Sequence, residues 1–115
     1  MIGVDENGCL NKIGYSNKGT VTEYNGVNFE NCKVPNFKKV KSFVLNAHAR
    51  IPMCALVGWN IGVDENDESI LVEANLESPS VNVSQLCCVP IFGDRTEEVF
   101  DYVKNHYVKK KLLFL

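Results

Sequence analysis

Val57-Gly58-Trp59-Asn60-Ile61-Gly62-Val63, followed after a polar connection by Ile70-Leu71-Val72-Glu73-Ala74-Asn75, is the stretch that decides the fold. Successive side chains of a strand point to opposite faces, so the first segment places Val57, Trp59, Ile61 and Val63 on one face and Gly58, Asn60 and Gly62 on the other. The second divides in the same way, with Ile70, Val72 and Ala74 on one face and Leu71, Glu73 and Asn75 on the other. Matching the apolar faces across the loop Asp64 to Ser69 predicts an antiparallel hairpin that pairs Val63 with Ile70, Ile61 with Val72 and Asn60 with Glu73. Asn60, Glu73 and Asn75 then gather on one polar face, while Trp59 belongs to the apolar, core-facing side.

Upstream of this hairpin, Val40, Phe43, Val44 and Ala47 recur at helical spacing, which predicts an amphipathic helix from about Asn36 to Arg50. Asn36 is its candidate N-cap, and Ile51-Pro52 ends it because proline disfavours the α conformation in the residue before it. Asn7-Gly8 marks a turn between Ile2 to Val4 and Cys9 to Tyr15, Thr20 to Tyr24 is β-prone, and Asn25-Gly26 marks another turn before Val27 to Phe29. Downstream, Glu77 to Ser84 reads as a loop, and the pattern leaves open the form of the apolar run Leu86 to Ile91, which Pro90 interrupts. Asp94-Arg95-Thr96-Glu97 is a capping pattern, Val99, Phe100, Val103 and Tyr107 continue a helical stripe to about Val108, and Leu112 to Leu115 suits a closing strand. The sum is one α+β domain over residues 1 to 115: a mostly antiparallel sheet of five or six strands with two helices.

With 115 residues, 45% apolar and 23% charged, the chain has the composition of an ordinary globular domain and a size that limits it to one. Twelve basic against fourteen acidic residues give a net charge of −2, so the chain carries no broad basic field for nucleic acid. Lys109 to Lys111 is the one dense basic run and reads as a solvated tail. No run of 18 apolar residues occurs, and Met1 to Leu10 carries two acids and no base. The expectation is a cytoplasmic protein without a membrane span or secretory signal. Five cysteines, no C-x-x-C spacing and two distant histidines, His48 and His106, speak for reduced thiols over disulfides or zinc. Cys87-Cys88 has no neighbouring base to activate a thiolate, and Lys12, Lys18, Arg50 and His106 read as solvated surface.

The chemistry lies on the hairpin's polar face. Glu73 and Asn75, two apart on a strand, point the same way about 6.6 Å apart, so a carboxylate and an amide oxygen can converge on one hard cation. Magnesium takes one or two carboxylates and fills its shell with water and substrate phosphates, which is what this pair offers. Gly58 and Gly62 flank Asn60 and leave room on that face. By spacing alone the same pattern also describes the solvent face of an antiparallel sheet.

The order of motifs along the chain adds a resemblance. D-E-N-G-C-L (5 to 10), K-G-T-V-T-E-Y-N-G-V-N-F (18 to 29), K-V-P-N-F (33 to 37), the helix, V-G-W-N-I-G-V-D-E-N (57 to 66) and I-L-V-E-A-N-L (70 to 76) together resemble the C-terminal half of ATP-grasp enzymes. The similarity is to the sugar-transfer-associated branch found with bacterial capsule and exopolysaccharide genes. It implies an ATP- and magnesium-dependent ligase or transferase acting on a carboxylate or sugar-linked substrate. It also implies that Glu73 and Asn75 are metal ligands and that Asn60 stands where the family usually has aspartate. An amide there keeps an oxygen and loses a charge, and Asp64 at the strand end is no obvious substitute. The family's phosphate-binding lysines and adenine pocket lie in a lobe N-terminal to the matched region, so the expectation is a fragment that is inactive alone. A second copy would cover its exposed lobe surface as a homodimer. The rivals are a non-catalytic remnant or interaction domain with a decayed metal site, favoured by Asn60, and an unrelated small α+β binding module.

Overall fold

The computed structural model describes the backbone of residues 1–77 and 79–113, and the side chains of all of these but 83 and 107–113. Two near-identical turns organise its strands. Asp5-Glu6-Asn7-Gly8 connects β1 (Ile2–Val4) to β2 (Leu10–Ser16), and Asp64-Glu65-Asn66-Asp67 lies in the hairpin loop further along. In each, the aspartate carboxylate accepts two backbone N–H groups: Asn7 and Cys9 at 2.9 and 2.8 Å from Asp5, and Asn66 and Glu68 at 2.9 and 2.8 Å from Asp64. The fourth residue is left-handed in both, at φ 86° for Gly8 and 60° for Asp67. Aspartate and asparagine suit this geometry because their short side chains bond the backbone two or more residues on.

β2 continues antiparallel into β3 (Gly19–Val21), giving a three-stranded sheet in the order β1-β2-β3. Asn25 and Gly26, both at positive φ, close a two-residue turn between β4 (Glu23–Tyr24) and β5 (Val27–Asn28), as the sequence predicts. A 3-10 turn, Phe29–Asn31, packs back against β2. The helix α1 spans Phe37–His48, within the predicted range. Asn36 occupies the cap position but is left-handed (φ 46°), and no cap bond comes from its side chain. Instead its carbonyl accepts from the Lys39 and Val40 amides. β6 (Gly58–Val63) and β7 (Ser69–Asn75) form the expected hairpin as a separate two-stranded sheet.

The α+β class and the antiparallel pairing hold, while four details differ from expectation. Among the described residues the strands divide among three small sheets and do not merge into one. A short helix, α2 (Asn82–Cys87), stands where a loop and an unassigned apolar run were read. Proline at 79 and 90 brackets it, which hid its short period. Residues 112 and 113 belong to α3 (Thr96–Leu113) and to no strand, and residues 114 and 115 lie outside the described residues. The capping pattern is also reworked: Asp94 sits in a 3-10 turn, Gly93–Arg95, and it is Arg95 that holds Glu98, at 2.6 and 2.8 Å.

Packing is loose. Cys87 is the one buried apolar side chain among the described residues. It comes from α2, whose C-terminal end presses on Gly3: the Cys87 carbonyl accepts from Asn11 Nδ2 at 3.0 Å, and a Cβ on Gly3 would come within 2.5 Å of that same carbonyl. The accessible area is 9581 Å², against about 6,300 Å² for a compact monomer of this mass. The radius of gyration is 17.1 Å, against about 13 Å for a compact domain of this length.

Candidate metal and phosphate site

The pairs Gly58 with Asn75, Trp59 with Ala74 and Asn60 with Glu73 occupy the register that the sequence predicts. The three polar residues therefore share one face. Asn60 Nδ2 donates to Glu73 Oε2 at 3.1 Å, and the position a Cβ on Gly58 would take lies 3.5 Å from the Asn75 Cβ. All three side chains are exposed. They line one side of a cleft of about 490 Å³ whose other side includes Pro79, Ser80 and Ser84.

Beyond Asn60 the register slips. Ile61 pairs with Leu71, Gly62 with Ile70 and Val63 with Ser69, so the expected pairs Ile61 with Val72 and Val63 with Ile70 do not form. Val72 is the extra residue of a β-bulge, in which two residues of one strand oppose one of its partner. The bulge moves Val72 off the apolar side and onto the polar face: its Cγ2 lies 3.6 Å from where a Cβ on Gly62 would be. Leu71 turns the other way and joins Trp59, Phe43, Ala47 and Leu76 in a groove between the hairpin and α1. Val72 is thus an exposed apolar side chain beside Glu73, and strict alternation missed it. The run Ile70 to Val72, three apolar residues before an acid, was the only sign of it.

The two flanking glycines have different neighbours. At Gly58 the space is filled by the chain itself, since a Cβ there would meet Pro79 Cβ at 3.1 Å; at Gly62 the neighbour is Val72. Asp64 is committed to its turn. The Glu68 and Asn66 amides that it accepts, the former foremost, hold its carboxyl below the usual range.

No lysine or arginine lines the cleft among the described residues. Lys12 pairs with Glu30, the Lys18 amide bonds Ser16 Oγ in the β2–β3 turn, and Arg50 lines the groove on the Trp59 side. His106 is exposed and stacks on Tyr102, with ring centroids 3.9 Å apart. His48 instead supports the hairpin, with Nε2 2.8 Å from the Cys54 carbonyl and its ring 6.0 Å from Trp59. Among the described residues no group of three His, Cys, Asp or Glu side chains converges. One carboxylate and two amides are a donor set that suits magnesium holding most of its shell as water and phosphate oxygen.

Fold and site together define an antiparallel α+β lobe with one open oxygen-donor face. The chain belongs to the sugar-transfer associated ATP-grasp family, which it matches over residues 1–99. No curated protein and no solved structure matches it. No helix among the described residues is long and apolar enough to cross a membrane.

Proposed function

We propose that this chain is the metal-holding lobe of an ATP-grasp ligase or transferase that serves bacterial capsule or exopolysaccharide assembly. The observation that carries it is the shared face of Asn60, Glu73 and Asn75, held by the stretch of β6–β7 before the bulge, where Asn60 pairs with Glu73 and Gly58 with Asn75. Glu73 supplies the negative charge toward a magnesium ion, and the Asn75 and Asn60 oxygens complete the protein's share. A magnesium ion held there would neutralise the ATP phosphates, so that an oxygen of a carboxylate or sugar-linked substrate could attack the terminal phosphorus with ADP as the leaving group. Val72 and Gly62 offer a flat apolar patch beside it, suited to the nucleotide. Phosphate charge also needs cationic side chains, and none of the described ones lines this cleft. They come from a complementing lobe, which the large exposed apolar surface is fitted to receive.

A second reading is favoured by position 60. There an amide spends a donor on Glu73 Oε2, as it would in a remnant whose metal face has decayed and which acts only as an interaction domain. Manganese titration followed by NMR separates the two. In a metal-holding lobe, submillimolar Mn²⁺ broadens the backbone and side-chain signals of Asn60, Glu73 and Asn75 selectively, and Glu73→Gln removes the effect. Uniform broadening, or broadening that persists in Glu73→Gln, decides for the remnant.

A further inference from the structure

The far wall of the cleft is held from a distance. Pro79, Ser80, Val81 and Ser84 form it, and α2, which carries Ser84, is six residues long, too short to keep its helix without support. Its C-terminal end leaves the Cys87 carbonyl without a partner inside the helix. Asn11 of β2 supplies one, donating from Nδ2 at 3.0 Å although it lies 76 positions away in sequence. Gly3 of β1 makes the room: a Cβ there would meet Asn11 Nδ2, the Cys87 carbonyl at 2.5 Å and Cys88 Sγ at 2.7 Å. At the other end Pro79 rests on Gly58 of β6, where a Cβ would lie 3.1 Å from the Pro79 Cβ and 3.5 Å from the Asn75 Cβ. Glycine inside a strand marks such close approaches. The segment is therefore seated on a glycine at each end, one in the β1-β2-β3 sheet and one in the hairpin beside Asn75.

We propose that residues 79–88 are a strap clipped across the two sheets, and that Asn11 is the positioning residue that holds this wall at a fixed distance from Glu73 and Asn75. Asn60, Glu73 and Asn75 are exposed side chains of the hairpin; the strap is what makes their face one side of a cleft. Releasing the Cys87 carbonyl frees α2 to swing away from the site, and a phosphate group filling the rest of an ion's shell then loses one of its two walls. The buried Cys87 side chain is the internal gauge of the clip, because it is covered only while α2 is seated on Gly3 and Asn11. The role toward the ion rests on the function proposed above, whereas the strap itself does not.

Labelling of the full chain with iodoacetamide, read cysteine by cysteine by mass spectrometry, tests the clip, since the rate at a buried thiol follows the population of the locally opened state. Asn11→Asp removes the donor and sets an oxygen against the Cys87 carbonyl, and Gly3→Ala drives a methyl group into it. Each should raise the labelling rate of Cys87 at least about tenfold. Cys54, whose carbonyl lies 2.8 Å from His48 Nε2 of α1, should stay within about twofold of its rate in the parent chain. An unchanged Cys87, or a Cys54 that accelerates equally because the whole chain has opened, overturns the strap. Manganese broadening then reads the positioning. In the parent chain an ion at Glu73 broadens the Ser80 and Ser84 backbone signals along with those of Asn60, Glu73 and Asn75. In Asn11→Asp the effect at Ser84 should be lost while those on the hairpin remain. Broadening at Ser84 that survives a freed Cys87 overturns the role of Asn11. Absence of any broadening at Glu73 in the parent chain defeats the metal reading instead, and the Cys87 rates still decide the strap.

Discussion

At position 60 the hydrogen bond to Glu73 is what one atom changes. Asn60→Asp replaces the donor at 3.1 Å by a second carboxylate directly across the ladder, where like charges are destabilising. The melting temperature should therefore fall in metal-free buffer and recover with millimolar Mg²⁺ or Mn²⁺, by mass action on the folded state. The added charge beside a divalent ion should also tighten metal binding about fivefold, a fraction of the Coulomb energy of a close pair. Calorimetric melting with and without either metal checks this, and a variant indifferent to both would show that the three residues do not share a cation.

The twin Asp-Glu-Asn turns lend themselves to tests as elements. Asp67 is left-handed at the position where its counterpart is Gly8. Asp67→Gly should relieve that strain and stabilise by up to about 1 kcal/mol. Gly8→Ala should destabilise by at least about that much, because its φ is 86° and the added Cβ would meet Phe37 Cβ at 2.6 Å. Urea unfolding of both variants measures the difference. The turns also predict an acid limb. The Cys9 amide at Asp5 and the Glu68 amide at Asp64, each the foremost of several causes, hold both carboxyls below their ordinary value of 3.8. Groups lowered on folding contribute stability that is full above the ordinary value and is lost as pH falls through the folded one. Melting temperature should thus drop below about pH 4, and less steeply in Asp5→Asn with Asp64→Asn; equal slopes would show that the turns carry no such linkage.

For the whole molecule, the ruling quantity is surface. An area of 9581 Å² with Cys87 as the one buried apolar side chain among those described leaves the hydrophobic term small against the entropy of ordering the chain. The chain alone should bind a hydrophobic dye and should release no phosphate from millimolar ATP and magnesium, since no described lysine or arginine side chain lines the cleft. Phosphate release above a buffer control that Glu73→Ala abolishes would contradict the two-lobe account of the site.

Period and turn chemistry are local, so the sequence alone determined much: the β6–β7 hairpin, α1 and its end before Pro52, the Asn25-Gly26 turn, and the clustering of Asn60, Glu73 and Asn75. Each follows from which way a side chain points from its own backbone. The tertiary structure decided what depends on distant neighbours. The Val72 bulge answers to both faces of the hairpin at once, with Leu71 drawn into the groove against α1 and Val72 released beside Gly62. Pro79 closes the space at Gly58 only because the segment after β7 folds back over it. The same cause hid α2, six residues long and too short for a helical period to show, which is held by its contact with Gly3 and Asn11 from the other end of the chain.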